Sequence, residues 1–406
     1  MRSSKNTSAE TDGKTVKNGA GKAVVITVAV ILAAVLLAGG GAYLYAQNRY
    51  GQAYETGVPI VERTDDYSVN ESELIDPPHV IETMDSPGTD FDVTGVPDET
   101  EEPVTDETTV TDGVTETDPA ETTAPETEAE TLSPEEAGTY VGSIPIYKVD
   151  RISDKIENVL FVGRDVGTYY GRADSAMIVS YNHETGNVRL VSLLRDSYVP
   201  IEGHNWNKLG HALSYGGMGL YINTVNYVLQ TDIQKYAVVD FDGVKKIVDE
   251  VGGVDISLSR AEAEYYASRW SDVHEGVNHL NGERALAFAR NRSLAGTDFA
   301  RAERQRKVLL AVYDALRKMP AAKAVKTVKT MLGYCKTNVP LNEALQLAAE
   351  VFAKGSVSIK TTQMPFPDTW SYAYVKPPGY TGNLAVTKFD IPANRKALYD
   401  YLYNGN

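Results

Sequence analysis

Cysteine is almost absent from this 406-residue sequence, which has Cys335 and no other thiol. A single cysteine cannot form an intrachain disulfide, so a small secreted fold stapled by disulfides is excluded. The chain also has no G-x-S-x-G, H-E-x-x-H or G-x-x-x-x-G-K-[ST] motif, and its six histidines show no recognised zinc spacing. These absences argue against α/β-hydrolase, zinc-protease and P-loop chemistry.

One long run without charge lies near the N-terminus and covers residues 23–46. Its 24 residues exceed the roughly 20 that a helix needs to cross a bilayer. The charged residues of 1–22 are mainly basic, and those that follow the run are mainly acidic. We therefore predict a cytoplasmic tail (1–22), a transmembrane helix (23–46) and an extracellular remainder. A signal peptide cleaved near 38–40 is the alternative, but the run is longer than a typical signal-peptide core.

Basic residues are nearly absent from 51–140, where 26 Asp and Glu accompany only Arg63. So acidic a segment cannot bury enough apolar surface to offset its ordering entropy, so we predict that 47–140 is a disordered extracellular linker. A calcium-binding or adhesive stalk is the alternative. The acidic residues of the linker account for the negative net charge of the chain, −16, whereas 141–406 holds 32 basic and 27 acidic residues.

Export and charge together narrow the setting of the domain at 141–406. An exported domain of this size without disulfides is typical of a Gram-positive cell envelope. Nucleic acid is excluded as a partner, because the basic domain is predicted outside the cell and its acidic linker repels phosphates.

Short apolar runs rich in β-branched residues alternate with helical patterns in 141–406. The predicted strands are Ile156–Val162, Ala176–Tyr181, Val188–Leu194 and Ala237–Phe241. The predicted helices are Leu209–Leu229, Gly243–Val251, Gly282–Ala289, Phe299–Met319, Ala321–Tyr334 and Leu341–Ala353. Cys335 is expected in an apolar helical stretch, as a core residue. The alternation predicts an α/β domain whose mixed central sheet is covered by helices on both faces.

Carboxylates follow or precede three of the predicted strands. Asp165 comes after the first strand, Asp174 opens the second, and Arg195 and Asp196 end the third. Ligand groups of open α/β sheets usually lie at such strand ends. Two carboxylates there could hold Mg²⁺ and leave positions for water and substrate phosphates. For each aspartate taken alone, a turn or helix-capping role is the alternative.

A second polar group surrounds the end of the helix at 282–289. If the chain leaves that helix near Ala289, the extended segment places Arg290 and Arg292 on one side, where both can reach one ligand. Arg301 and Gln305 are four residues apart and share a face of the next helix. Arginine forks of this kind bind diphosphates bidentately. For three further cations of the helix the alternative is a solvated surface: Arg304, Arg306 and Lys307.

Six segments, in this order, resemble the LytR-CpsA-Psr family of cell-envelope proteins. The first three are NVLFVGRD (158–165), GRADSAMIVSYN (171–182) and LVSLLRDSYVPI (190–201). The others are NWNKLGHALSYGG (205–217), DFDGVKKIVDEVGGVDI (240–256) and LNGERALAFARNRSLAGTDFARAERQ (280–305).

The resemblance implies a magnesium-dependent phosphotransferase of cell-wall biogenesis, with Mn²⁺ as the alternative ion. Such an enzyme moves a glycopolymer, such as a teichoic acid or a capsule, from a polyprenyl-pyrophosphate carrier onto peptidoglycan. Carried over position by position, Asp165 and Asp174 hold the metal, and a groove between sheet and helices takes the lipid. The residues implied to bind pyrophosphate are Arg195, Lys208, Arg290, Arg292, Arg301 and Gln305, and those implied to act in catalysis are Asp174, Arg195, Arg290 and Arg292.

Three positions differ from the family pattern. Val166 stands near the place of a usual arginine, Arg164 replaces a small residue before Asp165, and Leu194 replaces a proline before Arg195. Two other functions use the same residues and stay open. One is a protein that binds polyprenyl phosphates without catalysis, and the other is a hydrolase of lipid pyrophosphates.

Overall fold

The structure is a computed structural model that describes residues 58, 60–63, 74, 80–84, 144–164, 172–294, 298–340, 343 and 358–404. The predicted tail at 1–22, the apolar run at 23–46 and nearly all of the helix predicted at 341–353 lie outside these residues. In the described part of the chain, no helix combines the length and the apolar character that a membrane span requires.

Fifteen strands are present in the described residues. The strands are β1 (Ile60–Val61), β2 (Val80–Met84), β3 (Ile146–Tyr147), β4 (Ile156–Arg164), β5 (Ala173–Asn182), β6 (Val188–Leu193), β7 (Tyr198–Pro200), β8 (Trp206–Lys208), β9 (Lys235–Asp240), β10 (Val254–Leu258), β11 (Gly276–Leu280), β12 (Cys335–Thr337), β13 (Ile359–Met364), β14 (Trp370–Val375) and β15 (Leu384–Phe389).

The α-helices of the described residues are mostly amphipathic or buried. They are α1 (His211–Leu229), α2 (Phe241–Glu250), α3 (Arg260–Ala267), α4 (Gly282–Arg290), α5 (Asp298–Arg317), α6 (Ala321–Leu332) and α7 (Ile391–Tyr399). A π-helical turn, Asp400–Asn404, follows α7. Side chains cap several of these helices, and Asn281 for example accepts a hydrogen bond from the Arg284 amide before α4.

The central sheet has six strands in the order β12-β9-β4-β5-β6-β13. Strands β4 and β9 are parallel, as are β6 and β13, whereas the other neighbours are antiparallel. Strands β4, β6, β9 and β13 therefore all end at the edge where β5 begins, which we call the site edge. The prediction of a mixed central sheet is confirmed.

Both faces of the central sheet are covered, as predicted. In β4, Val159 points into an apolar layer that includes Val248 of α2 and Phe288 of α4. The neighbouring Leu160 points into the opposite layer, which includes Leu220 of α1 and Leu398 of α7. Alternate side chains of a strand face opposite sides, so a strand covered on both faces is apolar throughout.

Helix α1 is bent at the double glycine formed by Gly216 and Gly217. Gly217 has φ 67° and ψ −162°, a backbone conformation outside the helical region that favours glycine. The residues just before β3 cross the helix here, and Ile144 N donates to the Gly216 carbonyl. A Cβ added at Gly219 would lie 1.6 Å from the Ile144 carbonyl oxygen, so the crossing requires glycine there too.

The prediction for Cys335 is wrong in its secondary structure. Cys335 begins β12, which pairs antiparallel with β9 opposite Val239, instead of extending the preceding helix. Helix α6 already ends at Leu332, where Gly333 follows. Burial raises the pKa of the Cys335 thiol to about 12, so the residue is a poor nucleophile, as expected of a core cysteine.

Part of the segment predicted as a disordered linker is folded onto the domain. Strand β1 pairs with β3, and β2 adds an antiparallel edge strand to β14 in the three-stranded sheet β15-β14-β2. Leu74 is buried in the apolar layer of α1. Arg63 forms a salt bridge with Glu202 at 2.5 Å and stacks on the Tyr147 ring. The prediction of a disordered linker beginning at 47 therefore does not hold for residues 58, 60–63, 74 and 80–84, because distant strands supply partners that the acidic composition does not reveal.

Candidate functional site

The site edge gathers charged side chains from several parts of the chain. Arg164 ends β4 and pairs in register with both Ala173 at the start of β5 and Asp240 at the end of β9. Strand β6 ends at Leu193, two residues before Arg195. Asp174 and Arg195, which are distant in sequence, are therefore brought together, as strand ends in α/β sheets commonly are.

Arg195 is the centre of the charged group. Its Nη1 donates to Asp174 Oδ1 at 2.8 Å, and its Nε lies 3.5 Å from Asp196 Oδ1. Burial opposes the charge of Arg195, but Asp196, Asp174 and Asp298 outweigh burial and raise the pKa of the guanidinium. Arg195 therefore stays positively charged although its side chain is only 16% exposed.

Lys208 joins the group from the β7–β8 hairpin. Strand β8 pairs with β7, with Lys208 opposite Tyr198, and Lys208 Nζ lies 3.1 Å from Asp196 Oδ1. Burial opposes the charge of Asp196, but Lys208 and Arg195 lower the pKa of this carboxyl far below its usual range. Asp196 is thus an ionised carboxylate that fixes two cations beside each other.

Asp298, the first residue of α5, faces Asp196 across the site. Asp298 Oδ1 accepts from Arg301 Nη2 at 2.6 Å, and Asp196 lies close enough for its charge to act on Asp298. Burial and the charge of Asp196 raise the pKa of Asp298. Two like charges this close oppose each other's ionisation, which is why the pKa of Asp298 is raised while that of Asp196 is lowered by its cations.

Arg301 is buried and lies among other cations. Its pKa is lowered by burial, and the charges of Arg195 and Arg292 lower it further, against the opposing effect of Asp298. Three carboxyl groups, Asp174, Asp196 and Asp298, accompany the four cations of Arg195, Lys208, Arg301 and Arg292. The group therefore retains surplus positive charge suited to a polyanionic ligand.

Arg290 and Arg292 leave helix α4 where the sequence suggested, with a shift of one residue. The helix ends at Arg290, and Asn291 has φ −59° and ψ 125°, so the backbone is extended from there. Arg292 lies close enough to Arg301 to lower its pKa. The Arg290 guanidinium lies 4.2 Å from the ring centroid of Phe241, directly after the end of β9. That both arginines hold one ligand stays a prediction.

Asn291 anchors the turn between these two arginines. Its Nδ2 donates to the Tyr266 hydroxyl at 2.9 Å, and its Oδ1 accepts from the Leu294 amide at 2.9 Å. Arg304 Nη2 donates to the Asn291 carbonyl at 2.7 Å. The segment that carries Arg292 is therefore held from α3 and α5, which fixes where the arginine is presented.

The solvated alternative for Arg304 and Arg306 is wrong, because both side chains are buried. Arg306 Nη1 donates to Ser192 Oγ at 2.8 Å, and its Nη2 donates to Gln363 Oε1 at 3.3 Å. These partners lie on β6 and β13, so Arg306 joins α5 to the sheet. Lys307, by contrast, is partly exposed and pairs with Glu303 one turn earlier.

The remaining predicted site residues differ in how the structure treats them. Gln305 is half-buried, one turn after Arg301 on the same helix. Asp165 lies outside the described residues, as does Val166 beside it. No group of three or more potential metal-ligating side chains occurs in the described part of the chain. Of the two predicted metal ligands, Asp174 alone is among the described residues, and it lies at the site edge.

Sequence reasoning overlooked three side chains that border the group. Asp196 was treated only as a strand end, Asp298 was given no part in the site, and His211 was set aside with the other histidines. Asp196 carried a usable signal, since a carboxylate directly after a strand-end arginine forms a buried ion pair. His211 carried none, because its neighbours come from other loops.

Comparisons with known proteins agree with the fold. Residues 115–383 match the LytR_cpsA_psr family. A crystal structure of B. subtilis TagV is similar with a TM-score of 0.51 and 29% identity, covering 62% of this chain and 98% of that one. The structure "TagT bound to LIIa-WTA" is similar with a TM-score of 0.51 and 25% identity, covering 63% and 95%.

Two curated relatives give the range of sequence similarity. The polyisoprenyl-teichoic acid–peptidoglycan teichoic acid transferase TagV of Bacillus subtilis is 34% identical over 201 residues, which are 47% of this chain and 51% of TagV. The regulatory protein MsrR of Staphylococcus aureus is 26% identical over 264 residues, 63% of this chain and 78% of MsrR. The match thus spans about half of TagV. Because the family match covers well over half of the sequence, this chain belongs to the LytR_cpsA_psr family.

Proposed function

We propose that this chain is a magnesium-dependent phosphotransferase that moves a glycopolymer from a polyprenyl-pyrophosphate carrier onto peptidoglycan. The observation that carries the proposal is the surplus of positive charge at the site edge, where Arg195, Lys208, Arg301 and Arg292 meet around three carboxyl groups. Buried charge without full compensation is costly, so such a group is best explained by an anionic ligand.

The names of relatives support the choice of substrates. TagV and TagT of Bacillus subtilis are both named polyisoprenyl-teichoic acid–peptidoglycan teichoic acid transferases. TagT is 28% identical to this chain over 229 residues and has been solved bound to LIIa-WTA. We extend to this chain a polyisoprenyl-linked donor and a peptidoglycan acceptor, with a teichoic acid, a capsule or a related polysaccharide as the transferred polymer.

The proposed chemistry suits the residues at the edge. Transfer of a phosphoryl group depends on positioning and on neutralising charge more than on covalent catalysis. Arginine forks hold two phosphate oxygens at once, which suits Arg195, Arg292 and Arg301 to the diphosphate. Lys208 supplies a point charge and Gln305 an amide, and Arg290 would complete the clamp from the end of α4.

The edge also suits a magnesium ion supplied with the substrate. Mg²⁺ is usually bound through one or two carboxylates and substrate phosphates, so a complete protein cage is not expected. Asp174 is partly exposed and its Oδ1 is held by Arg195, which fixes its orientation. Asp174, together with Asp165, would hold the ion. The metal would neutralise charge on the diphosphate.

Two apolar parts of the chain would bind the lipid and the membrane. The layer between the central sheet and α4 and α5 is built from aliphatic and aromatic side chains, including Val159, Phe288 and Val308. We place the polyprenyl chain along this layer. The apolar run at 23–46 would anchor the protein as a single-pass membrane protein with the domain outside the cell.

A transfer assay tests the proposal and its two alternatives. Purified full-length chain is incubated with a polyprenyl-pyrophosphate-linked sugar, peptidoglycan and MgCl₂. A covalent sugar–peptidoglycan phosphodiester supports the transferase. Free phosphorylated sugar would identify a hydrolase, and unchanged lipid that copurifies with the protein would identify a binding protein. Either result overturns the proposal.

A further inference from the structure

The backbone of His211 is fixed between the two halves of the charged group. Gly210 N donates to the Arg195 carbonyl at 2.9 Å, and the Ala173 amide donates to the Gly210 carbonyl at 3.4 Å. A Cβ on Gly210 would lie 2.6 Å from Arg195 Cγ, so the glycine permits this close approach. His211, the first residue of α1, is therefore held beside Arg195 and next to the residue that precedes Asp174.

A hydrogen-bond network orients the His211 ring. The Tyr380 hydroxyl lies 3.4 Å from His211 Nδ1 and 3.4 Å from the Tyr215 hydroxyl. Asn207 Nδ2 donates to both hydroxyl oxygens, at 3.1 Å to Tyr380 and at 2.9 Å to Tyr215. A neutral ring whose Nδ1–H donates to the Tyr380 hydroxyl keeps a lone pair on Nε2, and this is the tautomer in which Nε2 acts as a base.

Nε2 of this ring is available for chemistry. Within the described part of the chain it makes no hydrogen bond, and it is absent from the buried polar atoms that lack a partner. The side chain of His211 is half-buried, and Nε2 has no partner among the described residues. A general base must reach the proton that it removes, and an unpartnered ring nitrogen beside the phosphate-binding cations meets that condition.

The electrostatic surroundings keep the ring neutral until a ligand arrives. Burial, together with the charges of Lys208, Arg172 and Arg195, lowers the pKa of His211 to about 4 against the opposing charge of Asp196. The other titratable groups that contact the ring are the hydroxyls of Tyr215 and Tyr380. A diphosphate among the three cations offsets their charge, so donor binding raises the pKa of His211 towards neutrality, where a base acts best.

We propose that His211 is the general base of the transfer, an inference that rests on the proposed function. Nε2 accepts the proton of the acceptor hydroxyl as its oxygen forms a bond to the donor phosphorus. The bond from that phosphorus to the bridging oxygen breaks, and polyprenyl phosphate leaves with the electron pair. The products are a phosphodiester on peptidoglycan and a protonated His211, which returns its proton to solvent.

The first test measures the ring directly and needs no transfer activity. The full-length chain is labelled with [¹³Cε1]histidine and titrated by NMR, and a His211→Gln sample identifies the signal. We expect sodium pyrophosphate with MgCl₂ to raise the pKa of His211 by about one unit or more. The signal of the exposed His279, which binds Asp255, serves as the reference that pyrophosphate leaves unchanged. A His211 titration that does not respond would overturn the proposal.

The second test measures transfer. His211→Gln should lower kcat roughly 10²- to 10⁴-fold and remove the acidic limb of the pH profile, while the KM of the donor changes little. The matched control is His204→Gln, because His204 is exposed and only stacks on Tyr215. If His211→Gln is poorly folded by its melting curve, Tyr380→Phe takes its place and should lower kcat alone. A wild-type rate in a folded variant would overturn the assignment, and absence of transfer in the wild type would instead overturn the proposed function.

Discussion

Arg195 and Asp174 form an ion pair across the start of β5 and the end of β6, with 2.8 Å between Nη1 and Oδ1. The pair joins a residue proposed to hold phosphate to a residue proposed to hold the metal. Each therefore fixes the other before any ligand is present, which reduces the reorganisation needed on binding.

The Asp174 carboxylate should be essential for transfer and dispensable for folding. We expect Asp174→Ala to abolish detectable transfer, because the metal and Arg195 both lose their partner, and we expect chelation with EDTA to do the same to the wild type. Transfer assays and melting curves measured side by side check this. Near-normal transfer by Asp165→Ala would show that Asp165 does not hold the metal.

Arg290 and Arg292 should each matter for transfer. A charged hydrogen bond contributes about 1.5–3 kcal/mol, so loss of either guanidinium should slow transfer at least about a hundredfold, or about 2.7 kcal/mol. Arg→Lys should recover only part of the rate, because a point charge cannot replace a planar fork. Lys307→Ala is the control. If Arg290→Ala lowers stability but leaves the rate unchanged, its contact with Phe241 is structural only.

Arg306 should stabilise the fold. Arg306→Ala removes a buried guanidinium that bonds Ser192 and Gln363, and it leaves both of these groups without their partner. We expect a loss of about 1–3 kcal/mol in the free energy of unfolding, measured by urea titration. Lys307→Ala, next to it but partly exposed, should stay within about 0.5 kcal/mol of the wild type. Equal effects would contradict the buried role.

The folded part of the acidic segment should stabilise the domain. Leu74→Ala should cost about 2–5 kcal/mol, because the side chain is buried in the apolar layer of α1. Deletion of 58–84 should lower the melting temperature clearly, whereas deletion of 90–130 should change it little, since loop length has a weak effect. Unchanged melting after the first deletion would contradict the pairing of β1 and β2.

Glu157 gives a pH dependence with a definite sign. Burial opposes its charge, but a hydrogen bond from His183 and the charge of Lys235 lower its pKa from 4.5 to about 2. Because the pKa of Glu157 is lower in the folded state than in the unfolded state, its ionisation stabilises the fold at pH values above about 4.5. This stabilisation is lost as the pH falls from about 4.5 to about 2. Glu157→Gln should therefore destabilise the protein at pH 7 and have little effect near pH 2, as measured by urea titration at both values.

Four strands of the central sheet, β4, β5, β6 and β9, could be predicted from sequence because most of their side chains are buried on both faces. Apolar and β-branched residues are concentrated in Ile156–Arg164 and Val188–Leu193, a pattern that favours buried strands over helices. The C-terminal part of the sheet was harder, since Ile359–Met364 carries polar residues such as Lys360 and Gln363. This strand joins the sheet by pairing with β6, which is distant in sequence.

Buried cations were the main feature that sequence patterns could not resolve. Arg304 and Arg306 have the spacing of a solvated helix face, yet their partners are the Asn291 carbonyl, Ser192 and Gln363. Helical periodicity does not show which neighbour will satisfy a guanidinium. Asp174 and Arg195 were predictable because they stand beside apolar runs at strand ends, where a surface role fits poorly.

The most direct test is the rate of sugar transfer to peptidoglycan by the full-length wild type and by Arg195→Ala. Both proteins receive the same polyprenyl-pyrophosphate-linked sugar and MgCl₂, and the phosphodiester product is measured over time. We expect product with the wild type and at least about a hundredfold slower formation with Arg195→Ala, whose fold is checked by melting. Equal rates for the two proteins, or a wild type that releases free phosphorylated sugar, would contradict a phosphotransferase built around Arg195.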